Sequence, residues 1–274
     1  MAINGMSNYL ENELINHLLR NIRYIPPAHV YLALYTATPT DTYAGVEVSS
    51  TSTGYSRMQC PVFNISANHA SASEEIKFGP ATQDWGIVAS FALMDGSTGG
   101  NMLLFGSLNN ALDIYDLDSI IISGSSFSVS LVGNEYGGWG DETASNILDG
   151  ILNNNGLDFP GATIYLALGR VLVTNSSNVF LSWLEVGGAG YSRKLIGNNW
   201  SNPTVGSTIN TTNITFTEKA AGNWGNVANC ALFNSSSTGD VLFWGTLSPP
   251  RNVLIGDAFE FSSGCVVLNL TSGV

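Results

Sequence analysis

The chain has 274 residues, a formal net charge of -12 and 11% charged residues against 44% hydrophobic ones. So much apolar content excludes a disordered chain, and so acidic a balance argues against binding nucleic acid or anionic lipid, which need a basic surface. No run of about 18 apolar residues occurs, so no membrane span is expected, and Met1 to Ser7 lacks the basic-then-apolar pattern of a signal peptide.

Tyr9, Leu10, Leu14, Ile15, Leu18, Leu19 and Ile22 recur at helical spacing near the start of the chain. The expected helix has Asn8 as its cap, Glu11 reaching back to it, and Pro26-Pro27 as its stop. From Val30 the apolar period changes to two. Strands are expected over 30–36, 56–65, 74–79, 86–94, 101–108 and 119–132, separated by turn clusters such as Asp95 to Gly100. Four glycines between Gly133 and Gly140 leave the backbone unconstrained, and this stretch reads as a linker. Beyond it Ile147, Leu148, Ile151 and Leu152 form a weaker helical stripe. Gly150 inside that stripe predicts a shorter or less stable helix. Strands follow over 164–168, 192–198, 209–217, 225–233, 240–247 and 257–271.

The second half repeats the first. Tyr31-Leu32-Ala33-Leu34 returns as Tyr165-Leu166-Ala167-Leu168, and Gly54-Tyr55-Ser56-Arg57 as Gly190-Tyr191-Ser192-Arg193. Asp84-Trp85-Gly86 returns as Asn223-Trp224-Gly225, and both tryptophans are expected in the core. The expected fold is therefore mainly β: two tandem homologous antiparallel β-sandwich or jelly-roll-like domains, each preceded by a short N-terminal α-helix. The domains fall at 1–133 and 141–274, with the linker at 134–140.

Motifs for chemistry are sparse. His17, His29 and His69 have no metal-ligand spacing and no counterparts in the second copy; surface or boundary positions are expected for them. Cys60, Cys230 and Cys265 include no CxxC pair and read as small buried thiols. Asp113, Asp116 and Asp118 cluster before a strand, but Ile114, Tyr115 and Leu117 interrupt any calcium-loop pattern, so a turn is the expectation and a weak cation site the alternative. No GxSxG, P-loop or dinucleotide fingerprint occurs. No catalytic residue, cofactor or metal ligand is assigned. Arg57 and Arg193 recur in a chain poor in charge. They suit a fixed ion pair or a subunit contact, and equally a stem packed along Tyr55 or Tyr191. The helical residues Tyr9, Leu10 and Leu14 are candidates for subunit contact if the helix docks on a neighbour rather than closing its own sandwich. Trp139, Trp183 and Trp200 are candidate stacking platforms for a sugar.

The run Met6 to Leu19, the block Pro27 to Thr36, Gly54-Tyr55-Ser56-Arg57, Ile76 to Thr82 with Asp84-Trp85-Gly86, and Phe91 to Asp95 followed by Gly99 to Leu103 resemble, in order, a family of small virion proteins of tailed bacteriophages. The second copy keeps a weaker version, with Gly169-Arg170 in place of Tyr35-Thr36. The resemblance implies a non-catalytic virion component whose partners are the major capsid protein or other virion proteins, and a homo-oligomer is expected. Capsid cement bridging capsomers is the first expectation. A tail-fibre adaptor or baseplate component is the second, and a carbohydrate-binding module the alternative of another class.

Overall fold

The computed structural model describes residues 2–158 and 160–270. The first copy runs β1 (Ala2–Met6), α1 (Asn8–Leu19), β2 (Tyr31–Ala37), β3 (Val46–Glu47), β4 (Met58–Gln59), β5 (Phe63–Ser66), β6 (His69–Ala72), β7 (Ile76–Phe78), β8 (Gly86–Met94), β9 (Met102–Ile114), β10 (Ile120–Ile122) and β11 (Ser128–Ser130). The second runs β12 (Gly137–Trp139), α2 (Asp141–Asn153), β13 (Tyr165–Thr174), β14 (Phe180–Glu185), β15 (Lys194–Leu195), β16 (Ser207–Ile209), β17 (Ile214–Thr217), β18 (Gly225–Phe233), β19 (Val241–Val253), β20 (Phe259–Phe261) and β21 (Val267–Asn269).

Each copy has one large antiparallel sheet, ordered β1-β9-β8-β2-β3 in the first and β12-β19-β18-β13-β14 in the second. Smaller antiparallel sheets complete each copy: β7 with β10 and β5-β6-β11, matched by β17 with β20 and β16 with β21. The fold is mainly β and tandem, as the sequence predicts. Strand alternation places side chains on two faces. On β2, Leu32 and Leu34 enter the main core, while Ala33 and Tyr35 point to a small outer cluster with Ala92 and Met94. On β13, Leu166 and Leu168 repeat the first role and Ala167 the second. The main core is continuous across both copies, whereas the outer clusters are separate.

Several boundaries differ from the sequence expectation. Ser7, not Asn8, caps α1: its Oγ accepts from the Leu10 N–H at 3.2 Å. The helix ends before the prolines, because Asn21 turns left-handed (φ 58°) and leaves Ile22 exposed. A strand precedes each helix, so neither copy begins with its helix. In the second copy that strand, β12, takes three of the seven residues of the expected linker and pairs with β19 through Gly137, Gly138 and Trp139. The glycines there serve close packing rather than freedom. A Cβ on Gly140 would overlap the Val241 carbonyl, and one on Gly137 would stand 2.8 Å from the Trp244 carbonyl oxygen. Helix α2 is no shorter than α1, at 13 residues against 12. Gly150 has a packing role, since Leu157 fills the space its Cβ would need. Strands β9 and β19 run past their expected ends. Ser90 pairs with Ser107 but Val88 with Leu112, so the strand bulges between those pairs, and β18–β19 break register at the same place. Pro249 and Pro250 fall in the second bulge, where no ladder hydrogen bond is required of them.

The copies diverge on the outer face. Where Tyr35 fills the first outer cluster, the second has Gly169, and a Cβ there would clash with the Trp183 ring. Trp183 reaches that position because the β13–β14 hairpin is longer than β2–β3. It packs against Phe180 and Phe233 in the second outer cluster. The lost tyrosine is thus replaced from a neighbouring strand.

Candidate functional site

The recurring Gly-Tyr-Ser-Arg block builds the same side-chain clamp twice. In the first copy Arg57 forks onto Glu47, with Nε to Oε1 and Nη2 to Oε2 both 2.8 Å. Its Nη1 donates to the Gly96 and Gly99 carbonyls at 2.8 and 2.6 Å, gripping the β8–β9 turn. The Tyr55 hydroxyl accepts from the Leu34 N–H at 2.9 Å and donates to Glu47 at 3.0 Å. In the second copy Arg193 forks onto Glu185 and donates to the Ser235 and Thr238 carbonyls. There Tyr191 bridges Leu168 and Glu185. Beneath each clamp the tyrosine stacks on a phenylalanine, 6.2 Å to Phe78 and 6.1 Å to Phe216, and meets a tryptophan edge-on at 5.5 Å. Trp85 and Trp224 are core anchors, as expected, and each indole N–H donates to a backbone carbonyl.

The electrostatics follow from this burial. Loss of water raises the Tyr55 and Tyr191 phenols above their ordinary value, and the Glu47 hydrogen bonds raise Arg57. All of these groups keep one charge state across physiological pH. Each clamp is a fixed ion pair, with the arginine side chain 6% exposed. Arg57 and Arg193 are therefore bonded within their own copies, as the fixed ion pair among their expected readings. Sequence inspection missed Glu47 and Glu185, because they lie eight and six residues before their tyrosines and so fall out of phase with the block. The available signal was an acid upstream of each block in a chain poor in charge. Replacing Arg57 by Lys should lower stability by about 1–2 kcal/mol, because an ammonium cannot hold the fork and both turn carbonyls together. Urea unfolding checks this, and faster amide exchange confined to residues 95–101 would locate the loss.

The clamped turns share a further exchange. Asp95 Oδ1 accepts from the Asn101 N–H in the first copy, and Asn234 Oδ1 from the Asp240 N–H in the second. Aspartate and asparagine have traded places while the turn keeps its bonds. The Asp113, Asp116 and Asp118 cluster is likewise a turn. Asp118 accepts from the Tyr115 N–H and Asp84 from the Asp116 N–H; Asp257 and Asn223 repeat both bonds. Among the described residues no group of three His, Cys, Asp or Glu is arranged to hold a metal ion.

The other candidates lie elsewhere. Leu10 and Leu14 are buried inside the chain, and Tyr9 packs partly buried with its ring 6.4 Å from that of Tyr24. As contacts to a separate subunit Leu10 and Leu14 are unavailable, because α1 is covered within the chain, by β1 and β9 of its own copy and by β16 of the other. His17, expected at a surface or boundary, is fully buried. Its Nδ1 accepts from the Tyr24 N–H at 3.1 Å, which leaves Nε2 to donate to the Asp158 carbonyl at 2.7 Å. Trp139 and Trp200 are buried and Trp183 is packed in its cluster, so none of the three is an open platform for sugar. Cys60, Cys230 and Cys265 are unpaired; burial pushes the first two thiols up to about 12, far from a reactive thiolate, while Cys265 is exposed rather than buried. An open groove of about 480 Å³ beside α2 is lined by Glu142, Asn146, Asp149, Asp158 and Asp240, and its lining holds no His, Cys or Lys. No described helix is long and apolar enough to cross a membrane.

In this duplicated β-sandwich the recurring Arg, Glu, Tyr and Asp side chains serve internal clamps and turns. The chain belongs to the podophage GP4 fiber I protein gp80 family, whose model matches it twice, over residues 5–130 and 138–269. It is a phage virion protein in tandem-duplicated form. The second match begins at residue 138, inside β12 and inside the expected linker. No curated protein matches the chain.

Proposed function

We propose that this chain is a non-enzymatic structural component of the phage tail, part of a fibre or its attachment, which joins other virion proteins and further copies of itself. The observation that carries this reading is the match of both copies to a family described as a fibre protein. The geometry supports it: the recurring Arg, Glu, Tyr and Asp side chains fix turns and hold no nucleophile beside a base. A fibre component bears load through a rigid body, and clamped turns on a continuous core supply one. Capsid cement is the competing assignment within the same class.

Copy number separates the two. Quantitative mass spectrometry of purified virions, scaled to the major capsid protein, should give a small ring-like number per particle. A ratio near the capsid lattice count would overturn the tail assignment in favour of cement. Absence from the particle would overturn any place for it in the mature virion.

A further inference from the structure

We infer that the two copies form a dimer within one chain, held by an interface that does not depend on the peptide joining them. The helices show it. Helix α1 lies against β9 of its own copy and β16 of the other, while α2 lies against β19 of its own copy and β5 and β6 of the other. Each helix is thus covered on its second side by the opposite copy. Along one seam Met6, Leu10 and Leu104 of the first copy meet Ile147, Leu148 and Ile151 of the second around a small apolar gap. Pulled apart, both halves would expose a helix face of leucine and isoleucine, a patch that isolated soluble domains avoid.

The contacts are reciprocal, as a twofold interface demands. Arg20 and Asn153 follow the last buried leucine of their respective helices, Leu19 and Leu152. Asn153 donates to the Phe63 carbonyl and accepts from its N–H. Arg20 donates to the Trp200 carbonyl. Phe63 and Trp200 hold equivalent places, at the start of a pairing with Ala72 and Asn210. One helix end therefore grips one strand backbone, twice, across the axis.

The same face also tells the copies apart. Asn68 and Gly206 are equivalent, since their carbonyls accept from the Leu131 and Leu270 N–H groups. Glu11 of α1 is buried against Gly206, where any Cβ would overlap its carboxylate. In α2 the corresponding residue is Ala144, which by the pseudo-symmetry falls to the Asn68 side. Large acid opposes glycine, and small alanine opposes asparagine. Two first copies paired in this way would press Glu11 onto Asn68. The first half consequently selects the second half rather than itself.

The test inserts a protease site between Glu135 and Tyr136, in the exposed turn before β12, and cleaves the folded full-length chain. Native mass spectrometry should then show one complex of the two fragments in 1:1 ratio at low micromolar concentration. Fragments that separate, or that re-pair with their own kind, would overturn the inference. The unaltered chain gives an independent check that needs no insertion. Its α1 and α2 amides should exchange together, in one urea transition. Two transitions, one per half, would equally overturn it.

Discussion

Replacing Trp139 by Ala should destabilise the protein by roughly 3–5 kcal/mol, the usual cost of deleting a large buried aromatic, which corresponds to a fall in Tm of roughly 10 °C for a chain of this size. Trp139 is 1% exposed and its ring lies 4.9 Å from that of Phe243 in the shared core. It sits on β12, which is short and mostly glycine, so its side chain supplies most of what seats that strand on β19. The next residue, Gly140, is the N-cap of α2, so loosening β12 also loosens the start of that helix. Calorimetry decides the matter. An unchanged Tm would mean that residues 134–140 are the free linker their glycines suggest, with Trp139 available to a ligand. The matching substitution in the first copy, Met6→Ala, should cost less, because methionine deletes less buried surface.

The contrast between Trp139 and its neighbours shows what the sequence discloses. Period-two strands such as β2, β8, β13 and β18 are legible because one side of each faces a core and the pattern repeats. The tandem architecture is legible for the same reason. Glycine is ambiguous: the freedom that marks a linker also permits the closest packing, and only the position of Val241 tells which applies at Gly140. The extensions of β9 and β19 are hidden because a bulge admits Asn109, Asn110, Pro249 and Pro250, residues that otherwise signal a turn. The clamps are half legible. Their arginines stand out by recurrence, but their glutamates do not, since loops of different length separate them from the block. The position of the helices is not legible at all. An apolar stripe records that a face is buried and carries no label for the surface that buries it, so α1 reads equally as a lid on its own sheet or as a contact to a neighbour. In the structure it is both, with the neighbour supplied by the same chain.

Glu11 turns that shared face into a measurable pH dependence. Burial, with Asp41 adding repulsion, raises its carboxyl from the ordinary 4.5 to about 7, and Oε2 has no hydrogen-bond partner among the described residues. The folded pKa lies above the unfolded one, so the folded state holds the proton more tightly. Its full benefit is present below about pH 4.5 and is lost as pH rises through about 7. Above that, the buried charge costs about 3 kcal/mol relative to the neutral acid, at 1.36 kcal/mol per unit. Glu11→Gln keeps the shape and removes the charge. It should therefore raise stability by about 2–3 kcal/mol at pH 8, while changing little at pH 4.5. His17 acts in the opposite direction on the same helix. Burial lowers its pKa, and protonating Nδ1 would break the bond from the Tyr24 N–H, so acid weakens the interface through it. Comparing the variant with the parent at each pH cancels that contribution, because both carry His17. Urea midpoints at pH 4.5, 6 and 8 give the answer: a gap that opens with pH assigns the loss to Glu11. Parallel curves would mean that water reaches the carboxylate and that the Glu11–Gly206 contact does not exclude it.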